Sequence, residues 1–300
     1  MDKTALLIGG TGFVGMHMQK TLSPRFKVVA TGHQTDIRDT GLIASLVKSV
    51  VPDVVVNFAS ITTVREAFAD PVRAYQIGFL GTLNLLTALK EHGFSGRMLN
   101  ISSSEVYGHP DPGQLPIRED TPLRPMNPYS VNKVATEALC YQWSQTEQFE
   151  IVTARPFTHI GPGQSDRFSI SSFSKQVAEI LLGKREPVIY VGDLQTTRDF
   201  TDVRDVVDAY VLLLENGRNG EVYNVCSGEE ITTRSLLDEL IESSGTPINV
   251  THDKSLLRST EQRRILGSHD KISSEMGWEA TIPISRTLAD MQSYWVDRLR

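Results

Sequence analysis

Short apolar runs alternate with longer amphipathic segments through the first half of the chain. "TALLI", "KVVAT", "DVVVNFA", "RMLNIS" and "IVTARPF" are each short, branched or apolar and bounded by turn residues, the pattern of strands buried on both faces. Between them apolar positions recur at helical spacing over 13–22, 39–50, 74–92 and 128–148. Strand–helix alternation without hairpin signals predicts the α/β class: a Rossmann-type, doubly wound parallel sheet covered by helices on both faces. After residue 160 the rhythm changes. "GPGQSDRFS" reads as a polar loop, 172–182 as a helix and "PVIYVGD" as a strand. "TDVRDVVDAYVLLLEN" and "EVYNVCSG" restore one helix–strand unit; "TTRSLLDELIESSG" and 284–298 read as helices around a short strand, "INVTH". The pattern divides the chain into a larger α/β domain, 1–160 plus 199–227, and a smaller interleaved lobe, 161–198 plus 228–300.

The stretch "LLIGGTGFVG" follows the first strand and opens the first helix. Gly9, Gly12 and Gly15 give G-x-x-G-x-x-G, with Gly10 as an extra. One glycine permits a sharp turn, one lets backbone approach a pyrophosphate, and one lets helix and strand pack closely. The helix N-terminus beyond, at Phe13 and Val14, offers unpaired N–H groups to phosphate. A purely structural glycine turn is the alternative, and the strand–turn–helix setting favours the dinucleotide. The second strand ends "VVATGHQTDIRD". A carboxylate usually grips a free ribose 2′-hydroxyl at this point, but Thr31, Gly32, His33 and Gln34 supply none. That favours NADPH, with NADH as the alternative. Asp36 and Ile37 are placed to meet the adenine; Asp39 capping the next helix, with Asp36 merely solvated, is the competing reading.

Composition narrows the partners. The net charge of -6, with no basic block, argues against nucleic acid or an anionic membrane surface. Cys140 and Cys226 lie far apart without ligand spacing, so reduced thiols and no metal are expected. No apolar run approaches the ~20 residues of a spanning helix, and a soluble cytoplasmic protein is the expectation.

The chemistry sits further along. "ISSSEVYG" follows the fourth predicted strand, and "YSVNK" opens a helix. Tyr129 and Lys133 are four apart, hence on one helical face. A lysine there can hold a cofactor ribose while its charge lowers the tyrosine's pKa for proton transfer. A strand-end serine can point at the same substrate oxygen. Alone, Y-x-x-x-K is a frequent surface pair; with the glycine turn and the serine-rich strand end in this order, chance explains it poorly.

On these motifs the chain resembles the extended short-chain dehydrogenases/reductases, the nucleotide-sugar epimerases, dehydratases and reductases, over essentially its whole length. The resemblance selects Ser103, five residues before the glycine of "VYG", beside Tyr129 and Lys133. It also implies cofactor contacts at Phe58, Ala59, Ile101 and Phe157. "ARPFTHIGPGQS", "TTRDFTDVRDVVDAY", "GEVYNVCSG" and "LLRSTEQRRILGS" are similar to segments of the branch that reduces a GDP-4-keto-6-deoxy sugar, turning GDP-4-dehydro-6-deoxy-D-mannose into GDP-D-rhamnose. That likeness implies diphosphate contacts from Arg198 and Arg258, Glu261 near the nucleotide ribose, Lys175 near the base, and Ser104 and Thr158 near the sugar. Guanidinium forks suit phosphate oxygens. It further implies a homodimer built through a four-helix bundle from 74–92 and 128–148.

Three positions depart from the family pattern: Ile8 stands for its Thr, Gly78 for the Asn of N-x-x-G-T, and Thr158 for the Asn of "PFNH". Glu105 lies where 4,6-dehydratases keep their C5 base, so a nucleotide-sugar dehydratase such as GDP-mannose 4,6-dehydratase is the alternative, with a C4-epimerase third. A cofactor-binding regulator on this fold that had lost catalysis would lack the tyrosine or the lysine, and this chain retains both.

Overall fold

In a computed structural model, which describes residues 3–256 and 263–300, the first half runs β1 (Thr4–Ile8), α1 (Phe13–Leu22), β2 (Lys27–Ala30), α2 (Thr40–Val50), β3 (Val54–Asn57), α3 (Val64–Ala69), α4 (Pro71–Tyr75), α5 (Gly81–Glu91), β4 (Arg97–Ile101), α6 (Pro128–Thr146) and β5 (Glu150–Pro156). The second half continues with β6 (Thr158–Ile160), α7 (Ser169–Leu181), β7 (Val188–Val191), β8 (Thr197–Asp202), α8 (Val203–Asn216) and β9 (Val222–Val225). It ends with β10 (Glu230–Thr232), α9 (Thr233–Ser244), β11 (Asn249–His252), α10 (Asp270–Met276) and α11 (Ile284–Leu299).

Six strands pair in parallel in the order β2-β1-β3-β4-β5-β9, as the buried apolar runs predict. The chain works outward from β1 to β2, then back across β3 to β9, so the order reverses beside β1 and opens a crevice at the strands' C-terminal ends. One face of the sheet is covered by α1 and α8, through Met18, Leu22, Val206, Tyr210 and Leu213. The other is covered by α2, α5 and α6, through Ile43, Val47, Leu85, Leu89 and Cys140. A separate core holds the C-terminal lobe together, with Phe173 and Val177 of α7 against Leu237, Leu240, Leu288 and Met291.

Local chemistry sets the boundaries. Asp39 accepts from the Leu42 amide at 2.9 Å and starts α2 one residue later than the periodicity suggested. Asn127 forms a reciprocal capping box with Ser130, and Pro128 occupies the first turn of α6. The single helix expected over 74–92 is instead three pieces: α4, a π-helical turn at Gln76–Leu80, and α5. Three strands escaped the pattern. β10, β8 and β6 form a mixed sheet, β10 antiparallel and β6 parallel to β8. In β8, "TRDFTD", alternation is hidden because the polar residues Asp199, Thr201 and Asp202 are buried beside Phe200 rather than solvated. That strand runs to Asp202, two residues into the segment read as helix.

Candidate active site

The glycine turn behaves as its residue types require. Gly9 has φ +73°, the left-handed region open to glycine, and its amide donates to Thr31 Oγ1 at 3.1 Å. A Cβ on Gly15 would lie 2.2 Å from Gly10 O, so this glycine lets α1 sit directly on the turn. A Cβ on Gly12 would meet only Gly9 O at 3.4 Å, leaving backbone exposed at the mouth of α1. No side chain caps α1, so its first-turn N–H groups are available to an anion. Phe13 stacks on His159, ring centroids 6.2 Å apart, and the Nε2 of His17 meets Pro162 O at 2.9 Å. Arg167 on the same loop reaches Glu66 of α3 at 2.8 Å. The loop after β6 thereby spans the crevice above the turn.

Around the tip of β2 the expectations divide. Gly32 is buried beneath Thr11 and Gln34, while His33 is exposed. Asp36 is not merely solvated: Arg38 forks onto it at 2.6–3.0 Å and holds its carboxyl down to about 2. Arg38 is the cation near this loop that the reading of the tip overlooked. Ile37 is buried, with its side chain filling the space over Gly81. Its backbone, rather than its side chain, is what a nucleotide could meet.

The serine, tyrosine and lysine do converge. Ser103 ends the β4 segment and caps a 3-10 turn, Ser104–Tyr107, by accepting from the Glu105 amide at 3.2 Å. Tyr129 lies in the first turn of α6, half-buried, with its hydroxyl beside Ser103. Lys133, 8% exposed, lies one turn later, with Nζ 5.7 Å from the Tyr129 ring centroid. Its ammonium donates to Ile101 O at 2.7 Å, which leaves two N–H donors for a ligand. Burial pushes the Tyr129 phenol up to about 12; the Ser103 hydrogen bond opposes this and the Glu105 charge adds to it. The lowering partner is therefore Ser103, whereas the sequence assigned that effect to Lys133. Burial draws Lys133 down to about 8 against the opposing pull of Glu137.

Glu105 accepts from Asn127 Nδ2 at 3.2 Å and so braces the cap of the helix that carries Tyr129. Phe58 and Ala59 follow β3 at the crevice, where a Cβ on Gly9 would touch them. Phe157 is core, 2% exposed beside Tyr107, so it offers a ligand only backbone. Ser104, on the turn after β4, and Thr158, on β6, are half-buried, and Arg198 sits on β8 with Nη1 donating to Thr197 O at 2.8 Å. Lys175 is engaged by Asp166 at 2.7 Å and lies over the Trp295 ring. Arg258 and Glu261 fall outside the described residues. No group of acidic, histidine or cysteine side chains among the described residues has metal-binding geometry.

These features fit a dinucleotide: an uncapped helix start, backbone bared at Gly12, and two buried polar atoms without partners near the crevice, Ser60 Oγ and Asn132 Oδ1. Asn132 lies within "YSVNK", where no sequence motif marks it. A Cβ on Gly78 would lie 1.9 Å from its Nδ2, so the position where relatives keep an asparagine is filled by an amide from the neighbouring helix.

The chain matches the family described as GDP-mannose 4,6 dehydratase over residues 23–291. It is 42% identical to GDP-6-deoxy-D-mannose reductase of Pseudomonas aeruginosa, across 100% of this chain and 99% of that one. A UDP-glucose 4-epimerase of Halalkalibacterium halodurans is 26% identical over 97% of this chain and 94% of its own. Among solved structures, RMD from Pseudomonas aeruginosa complexed with NADPH superposes with a TM-score of 0.92 at 42% identity, covering 99% of this chain and 100% of that one.

Proposed function

The chain belongs to the GDP-mannose 4,6-dehydratase family, and from that membership we propose that it is an NADPH-dependent oxidoreductase that reduces the 4-keto group of a GDP-4-keto-6-deoxy sugar, GDP-4-dehydro-6-deoxy-D-mannose to GDP-D-rhamnose. The observation that carries the reading is the half-buried Tyr129, set beside Ser103 and one helical turn from Lys133 in a chain 42% identical end to end to a reductase of that class.

When bound, the reduced nicotinamide supplies the hydride that reaches C4. Tyr129, neutral because its pKa lies near 12, gives its phenolic proton to the carbonyl oxygen, so one hydride and one proton convert ketone to alcohol. Ser103 hydrogen-bonds that oxygen as negative charge develops on it. Lys133 stabilises the phenolate left behind and uses its remaining donors on the nicotinamide ribose. Gly12, Phe13, Val14 and Gly15 would hold the pyrophosphate, and the acid-free tip at Gly32 and His33 accommodates the 2′-phosphate of NADPH. Arg198 serves the sugar-nucleotide diphosphate from β8. The crevice lies between the two lobes set by residues 1–160 with 199–227 and 161–198 with 228–300.

Product NMR after incubation with GDP-4-keto-6-deoxymannose and NADPH tests the reaction; an unchanged ketone overturns it. Tyr129→Phe should cost about 100-fold or more in kcat while NADPH affinity holds. An undiminished rate would remove Tyr129 from the mechanism. A second reading follows from Glu105, whose carboxylate lies near enough to Tyr129 for its charge to raise the phenol's pKa, and so beside the same bound sugar, where a C5 base would act. Incubation with GDP-mannose and NADP⁺ separates it, since only a dehydratase yields a 4-keto product. We place the enzyme in the cytoplasm, consistent with no described helix long and apolar enough to cross a membrane. It acts as a homodimer joined through the helices around α5 and α6, where Phe68, Val72, Leu80, Val131 and Tyr141 expose apolar surface.

A further inference from the structure

Beneath the proposed catalytic set lies a buried ionic network that the reaction as described does not use. Glu137 sits on α6 one turn beyond Lys133 and is 7% exposed. Arg155 of β5, 5% exposed, forks onto its carboxylate with contacts of 2.6, 2.9 and 3.2 Å. The same carboxylate accepts the hydroxyl of Ser102, the residue immediately before Ser103. Arg155 reaches on to Tyr107 OH at 2.8 Å, and Tyr107, which ends the turn that begins at Ser104, donates to Asn224 at 2.7 Å. One carboxylate thus ties together the strand end that carries Ser103, the turn that carries Glu105 and the helix that carries Tyr129 and Lys133.

We propose that Glu137 is a positioning residue that keeps the Lys133 ammonium charged inside its buried site and holds the Ser103-bearing strand end in register with α6. The charge argument runs through the groups that face Lys133. Ile101 O is a neutral acceptor on β4, and Tyr129 is a neutral phenol. Cys140, on the same helix, is a buried thiol whose pKa is pushed upward, so it stays uncharged near neutrality. Glu105 on the 3-10 turn acts on Tyr129. Arg65, Glu66 and Arg73 on the short helices packed against α6 are exposed. Glu137 remains as the counter-charge acting on Lys133. Arg155 forks onto that carboxylate and offsets the cost of burying its charge.

This inference rests on the proposed role of Lys133, and its test is arranged to stand apart from the sugar. The experiment measures NADPH binding by fluorescence between pH 6 and pH 9.5, and reductase rate over the same range, for the wild type, Glu137→Gln and the double variant Glu137→Met with Arg155→Met. The double variant replaces both buried partners with apolar groups, so it guards against a fold lost to an unpaired Arg155. Losing the counter-charge lowers the Lys133 pKa, so the alkaline limb of NADPH binding should move about one pH unit toward acid, making binding at pH 8.5 weaker by about tenfold relative to that at pH 6.5. Glu137→Asp should restore part of the limb. If both variants fold and the limb stays in place, the proposal fails and the network is structural only. If the limb moves but no keto sugar is reduced, the substrate assignment fails and this inference stands.

Discussion

At the scale of single residues, the site works by exchange between neighbours. The family's asparagine on the helix before α5 is missing, and Gly78 stands in its place. The structure shows why the glycine is needed: Asn132 occupies the volume its side chain would take, and the helix loosens into a π turn there. Gly78→Ala should therefore lower stability by about 1–3 kcal/mol, as overpacking does, and weaken NADPH binding by displacing the residue beside Lys133. Combining it with Asn132→Ala should return most of the stability, measured by urea unfolding. A Gly78→Ala variant as stable as the wild type would show that the amide moves aside freely. Position by position Gly78 is only a departure from N-x-x-G-T, because the compensating group lies 54 residues away on another helix.

At the scale of elements, capping residues do double duty as ties between lobes. Asp202 ends β8, caps α8 through the Arg204 amide at 2.7 Å, pairs with the Arg204 guanidinium and accepts from Thr287 on α11 at 2.6 Å. Burial raises its pKa, but the Arg204 and Thr287 hydrogen bonds outweigh this and leave it below its ordinary value. A carboxyl held low contributes stability above its unfolded pKa and loses it as pH falls through the folded value. Asp202→Asn should accordingly cost roughly 2–4 kcal/mol at pH 7, and the gap from wild type should narrow as the pH falls below 4 in denaturation curves. A gap independent of pH would assign the loss to packing instead. A related cause explains why β8 went unread: Asp199 and Asp202 are buried and bonded to partners outside the strand, and hydrophobic alternation has no hold on such a strand.

At the scale of the whole molecule, two surfaces matter. One is the crevice, roofed by the loop from β6 through Phe13, His17 and the Arg167–Glu66 pair. The other is the apolar face of Phe68, Val72, Leu80, Val131 and Tyr141, which we assign to the dimer. Val72→Glu with Leu80→Glu places like charges across a two-fold interface, where the same patch meets itself. Sedimentation should then give a monomer from a dimeric wild type, with the circular dichroism of the fold unchanged. A wild type that sediments as a monomer would refute the assignment outright.

The sequence by itself determined the parallel sheet and the glycine turn, and it set Tyr129 and Lys133 on one helical face, because each depends on local periodicity or on short fixed spacing along one strand or helix; Ser103 came only through the family resemblance. Only the tertiary structure decided what surrounds them: that Asn132 fills the notch at Gly78, that Arg38 holds Asp36, and that Glu137 and Arg155 lock three elements beneath Lys133. Those relations join residues distant in the chain through buried contacts, and burial is a property of the packed chain that no stretch of sequence carries alone.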